Sequence, residues 1–121
     1  MVKVGIDVTN IERVREFFER KGEKFVDRIL TPKEKEYVMK HKNFFLNLAG
    51  RFASKEAFFK AIGTGIINFQ EVEILNGENG RPFVNVYGKT KEILTSMNPK
   101  SIDISISHTD LVAIAVVVIE M

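Results

Sequence analysis

The stretch RFASKEAFFKAIGTG, residues 51–65, constrains this chain more than any other. It closes a long run of helix-forming residues that begins near Asn43 and continues without proline or charge clustering to Ile62. Gly63 stands where such a helix needs a left-handed terminator, so the spacing predicts one helix of about five turns over 43–62. A helix this long and this apolar has to be wrapped by the rest of a small protein. Among the flanking segments, 1–7, 71–75, 82–87, 101–107 and 111–119 alternate or run apolar, as strands do. The expected fold is α+β, an antiparallel sheet packed on one long helix, with 1–121 as a single domain.

Shorter helices fill the remainder. Thr9 followed by Glu12 reads as a capping box that opens a helix through about Lys21. A second helical piece covers roughly 23–30, and Thr31-Pro32 starts a third that runs to about His41. NGENGR separates the strands 71–75 and 82–87 as a hairpin connection, and a short helix over 88–97 stops at Asn98-Pro99. The last strand is apolar on both faces, which calls for cover on both sides, by helices or by another subunit.

Composition removes several kinds of chemistry. With no cysteine there is no disulfide framework, thiol nucleophile or thiolate metal site. Two histidines, His41 and His108, are too few for a histidine-rich zinc or iron centre, so any metal would be a hard, oxygen-liganded ion such as Mg²⁺. A net charge of +2 is too weak to argue for nucleic acid. The longest apolar stretch, 111–119, is too short to span a bilayer, and no secretory leader is visible, so the expected compartment is the cytoplasm with no membrane partner.

Three groups of residues can carry chemistry. Glu56 and Lys60 lie four apart, within roughly 40° of each other on the long helix, with Ala53 and Ala57 beside them. Alone, such a pair is an ordinary surface ion pair. Next to small residues and a Gly-Thr-Gly break, it suits a site for a metal and phosphates. Asp7 ends an apolar strand, where carboxylates project into ligand crevices, although Asp is equally at home as a turn or cap residue. Asp7 and Glu56 together make a reasonable Mg²⁺ site, since that ion takes one or two protein carboxylates and fills its octahedron with water and phosphate oxygens. His108, preceded by Ser105 and Ser107, falls in a predicted tight turn where an imidazole can donate to a phosphate.

The first helix carries a further pattern. Ile11, Val14 and Phe18 form a core stripe, while Arg13, Phe17, Arg20 and Lys24 gather on roughly the opposite side. An exposed phenyl ring within a basic strip fits an acidic protein partner better than DNA. His41, at a helix C-terminus, opposes the helix dipole and is assigned no function.

GIDVTNIERV at 5–14, RFASKEAFFKAIGTG at 51–65 and SISH at 105–108, in this order and spacing, resemble the holo-[acyl-carrier-protein] synthases, the small 4′-phosphopantetheinyl transferases. The resemblance covers nearly the whole chain. It implies transfer of the phosphopantetheine arm of coenzyme A to a serine of an apo acyl carrier protein, with release of adenosine 3′,5′-bisphosphate. It implies that Asp7 and Glu56 bind Mg²⁺ and that Lys60 contacts the phosphates or helps the leaving group. Arg51 and His108 match residues that bind coenzyme A, His108 near its 3′-phosphate, and Gly63, Thr64 and Gly65 match the loop that coenzyme A approaches. Arg13, Phe17 and Arg20 fall on the helix that docks the acidic carrier protein. Larger relatives hold two copies of this unit with coenzyme A between them, so a single copy is expected to form a homotrimer with sites at subunit interfaces. Phe52 stands where some larger relatives have tryptophan, and Arg81 where lysine is commoner. The base that takes the serine proton is Glu56 or a metal-bound water; the residues alone do not separate the two. A docking module without catalysis and a coenzyme A store are the rival readings.

Overall fold

A computed structural model describes residues 1–121. In chain order it contains β1 (Val2–Asn10), α1 (Ile11–Lys21), α2 (Glu23–Ile29), α3 (Pro32–Lys40) and α4 (Phe44–Ile62). A 3₁₀ turn (Phe69–Glu71) then leads to β2 (Val72–Asn76), β3 (Pro82–Val86), α5 (Gly88–Ser96), β4 (Ser101–His108) and β5 (Val112–Glu120). The strands divide into two antiparallel sheets rather than one. β5 lies between β1 and β4, whereas β2 and β3 form a separate hairpin. No helix is long and apolar enough to cross a membrane.

Helix α4 is the axis of the fold. Twelve of its residues are buried, among them Leu48, Ala49, Ala53, Phe58, Phe59 and Ile62. Its C-terminal half packs on the three-stranded sheet, and its N-terminal half meets α1, α2 and α3 through Val14, Val26, Ile29, Leu30 and Val38. The alanines at 53, 57 and 61 are fully or almost fully buried, which lets strand and helix come close. Closest of all is Gly5, where an added Cβ would lie 1.8 Å from the Ala57 carbonyl oxygen. The main chain of β1 therefore rests directly on α4.

Thr31 caps α3 with the expected proline behind it, and Glu34 closes a reciprocal capping box. Gly63 ends α4 at φ 81°, the left-handed conformation for which glycine is suited. One expectation fails at the first turn. Thr9 does not cap α1; Asn10 does, its side chain accepting from Arg13 N–H at 3.0 Å. The cause is long-range: β1 keeps pairing with β5 through Thr9 opposite Ala113 and Asn10 opposite Val112, so Thr9 is held as strand.

The sheet is covered on one face only. Ala113, Ala115, Val117 and Ile119 of β5 are buried against α4, while Val112, Ile114, Val116 and Val118 point the other way and are half-buried. Beside them on that outer face, Val2, Val4, Ile6 and Val8 of β1 are each more than half exposed. No helix of the chain covers this apolar face.

Candidate active site

Asp7 and Glu56 reach the same cleft from different elements. Alternation along β1 turns Asp7 toward α4, and the cleft of about 740 Å³ that opens there is lined by Asp7, Thr9, Arg13, Phe17, Phe52 and Glu56, among others. Lys60, one turn beyond Glu56, donates to Asp7 Oδ1 at 3.2 Å and to the Ile6 carbonyl at 3.0 Å. The expected i, i+4 partnership of Lys60 with Glu56 thus gives way to a bridge across to the strand.

Glu56 is left in an unusual state. Partial burial pushes its carboxyl above the ordinary carboxylate range, the neighbouring Asp7 pushes it further, and Lys60 only partly opposes them. Two carboxylates with a single lysine between them leave a demand for positive charge. No third acid or imidazole joins them in a metal-binding group. A pair of hard oxygen donors, with room for outside oxygens, is the donor set that Mg²⁺ uses in phosphate sites. The residues therefore fit such an ion.

Around the carboxylates the cleft turns basic and aromatic. Arg13, Lys21, Lys24 and Arg28 line it with Phe17, Phe25, Phe52 and Phe69. Phe17 is half-buried rather than exposed: its ring stacks on Phe25 at 5.6 Å, and the Arg20 guanidinium lies 4.8 Å above it. The basic strip of α1 thus continues on α2, with Phe25 and Arg28 as members that the first helix alone could not reveal.

Other expected residues lie elsewhere. His108 is the last residue of β4, not part of the turn, and is exposed in a separate cleft of about 440 Å³ with Arg15, Lys42, Asn43 and Thr109. Gly63, Thr64 and Gly65 form an exposed loop past Lys60; Gly63 and Gly65 have positive φ, and nothing of the chain lies within 4 Å of either Cβ position. Space above that backbone is open.

Arg51 is not among the residues that line either cleft. Only 4% exposed, it donates to Asn76 Oδ1 and stacks 4.7 Å over the Tyr37 ring, and burial lowers its affinity for its proton. Such a side chain ties α4 to β2 and α3, and its Nε has no partner within the chain. One turn on, Lys55 is fully buried, donating to Glu34 Oε1 at 2.6 Å and to the carbonyls of Ile29 and Phe69 at 2.6 and 2.9 Å.

A profile of the 4'-phosphopantetheinyl transferase superfamily matches residues 3–117. The holo-[acyl-carrier-protein] synthase of Caldanaerobacter subterraneus is 41% identical over an alignment of 117 positions that covers 95% of this chain and 91% of that one. The synthase of a Geobacillus species is 42% identical over 125 residues, 99% of this chain and 97% of its own. Among solved structures, the Neisseria meningitidis holo-[acyl-carrier-protein] synthase superposes with a TM-score of 0.94 at 30% identity, covering all of both chains. The Helicobacter pylori synthase, solved in complex with coenzyme A, gives 0.85 at 33% identity over 97% of this chain and 99% of that one. With the three sequence blocks and the two-carboxylate cleft in place, the chain belongs to the 4'-phosphopantetheinyl transferase superfamily and to its holo-[acyl-carrier-protein] synthases.

Proposed function

We propose that this chain, acting as one domain over 1–121, transfers the 4′-phosphopantetheine group of coenzyme A to a serine of apo acyl carrier protein. The observation that carries this reading is the shared cleft of Asp7 and Glu56, walled by the basic and aromatic residues of α1 and α2. In the reaction the serine oxygen forms a P–O bond to the phosphorus bearing the pantetheine arm. The bridging P–O bond breaks, and its electron pair leaves with adenosine 3′,5′-bisphosphate. Catalysis of this kind is mostly positioning and charge neutralisation.

Asp7 and Glu56 would hold Mg²⁺, which supplies neutralisation of the pyrophosphate oxygens when bound. Lys60, paired with Asp7 through an exposed side chain, is free to swing to the departing phosphate. The serine proton is taken by Glu56 or by a water molecule held beside it in the cleft. Arg13, Phe17 and Arg20 dock the acidic carrier, with Phe25 and Arg28 extending that surface.

His108 lines a second cleft, and a coenzyme A that touches a carboxylate cleft and a His108 cleft could draw them from two copies of the chain. A homotrimer would allow this, each subunit offering His108 across the interface. The uncovered apolar face of β1 and β5 supports such an assembly. The setting that fits these substrates is the cytoplasm.

The test is direct. The protein is mixed with coenzyme A, Mg²⁺ and an apo carrier protein, and the intact carrier is weighed. The expected result is a carrier heavier by one phosphopantetheine; an unchanged mass, where a known synthase modifies the same carrier, refutes the proposal.

A further inference from the structure

Thr9 has lost the capping role its sequence position suggested, and its hydroxyl is engaged elsewhere. Residues 5, 7 and 9 share the face of β1 that looks toward α4, so Asp7 and Thr9 are same-face neighbours. Thr9 Oγ1 donates to Asp7 Oδ2 at 2.7 Å, while Lys60 Nζ donates to the other oxygen, Oδ1. An ionised carboxylate has about four acceptor sites. One donor on each oxygen leaves each with an acceptor site to spare.

The two donors differ in kind. Lys60 is about half exposed, on a long side chain that can leave for a phosphate. Thr9 is only 7% exposed, and its branched side chain is stiff about χ1 on a strand flanked by Ala113. Once Lys60 moves, the Thr9 hydroxyl is the contact that keeps the Asp7 carboxylate from rotating. We propose that Thr9 is a positioning residue, locking the Asp7 carboxylate in the orientation that presents its free acceptor sites to a divalent cation. The inference rests on the reading of Asp7 as a metal ligand and deepens it.

Partners of this kind usually set ligand orientation, and losing one weakens metal binding by about 10–100-fold. The experiment titrates Mn²⁺, visible by electron paramagnetic resonance, into the protein in the presence of coenzyme A. Thr9→Val keeps the shape and strand preference and removes the donor; Thr9→Ser keeps the donor. The expected result is an Mn²⁺ Kd about tenfold higher for Thr9→Val. The KM for Mg²⁺ in the transfer assay rises in parallel, KM for the carrier stays unchanged, and Thr9→Ser stays close to the parent protein. Equal Mn²⁺ affinity in Thr9→Val and the parent, even with a lower Tm, overturns the role of Thr9 and leaves Asp7 as a ligand. Failure of the parent to bind Mn²⁺, or binding by Asp7→Asn as tight as the parent's, overturns the metal centre and this proposal with it. Should Thr9→Val not fold, Thr9→Ala set against Thr9→Ser gives the same contrast.

Discussion

Lys55 and Glu56 are adjacent on α4 and meet opposite fates. The Lys55 ammonium is sealed from water, and its three donated bonds go to Glu34, Ile29 and Phe69. Glu34 in turn accepts from the backbone N–H groups of Thr31 and Ile74, at 2.8 and 2.7 Å. Burial still lowers the proton affinity of Lys55, and Glu34 works against that loss. Glu56 is also partly desolvated, yet its neighbours are another carboxylate and a lysine already bridged to it. A buried charge whose hydrogen-bonding capacity is filled by the protein belongs to the fold. One left with capacity to spare is available to a ligand.

This contrast can be broken most forcefully from the sealed side. Lys55→Met leaves Glu34 buried without its counter-charge, and unfolding free energy should fall by about 3–5 kcal/mol in denaturant titration. A variant as stable as the parent would show that the pair contributes little. On the open side, Asp7→Ala and Glu56→Ala should each lower kcat/KM by about 10²–10³-fold with the circular dichroism spectrum unchanged. A melted protein would instead place these carboxylates with Lys55, as parts of the fold.

Smaller effects sharpen the same distinction. Arg13→Glu or Arg20→Glu should raise the KM for the carrier by roughly tenfold and leave coenzyme A affinity alone. An equal loss of coenzyme A binding would move the docking surface elsewhere. Glu56→Gln should abolish most transfer and yet raise the Tm of the metal-free protein slightly. Because folding raises the proton affinity of Glu56, its ionised form costs stability at any pH above the raised pKa. Below its ordinary pKa the carboxyl is protonated in both folded and unfolded chains, and that cost vanishes. The gain from Glu56→Gln should therefore be complete only above the raised pKa and fade on acidification; a gain that is constant with pH would assign it to packing.

What could be read from the chain itself was local. The Thr31-Pro32 start of α3 and the Gly63 stop of α4 depend on neighbours a few residues away, and both stand as expected, whereas the strand expected to end at Asp7 runs on to Asn10. The misreadings have distant causes. Thr9 was drawn into the strand by β5, more than a hundred residues on, and Asn10 took the cap. The partners of Arg51 (Asn76 and Tyr37) and of Lys55 (Glu34) are likewise ones that their own helix does not supply. Nothing in the pattern of α4 distinguishes a lysine bound for the interior from one bound for the cleft. The separation of His108 from Asp7 is likewise a fact of topology: β5 lies between their strands, and His108 lines the second cleft.

Gly5 has a consequence for how this enzyme family can vary. Because strand backbone sits on helix backbone there, the gap between Asp7 and Glu56 is gauged by main-chain atoms and not by any side chain between them. If α1 and α2 dock the carrier as proposed, substitutions that retune them can accumulate without disturbing that gauge. The side chains of α1 and α2 can thus change around a carboxylate spacing that main-chain packing holds fixed.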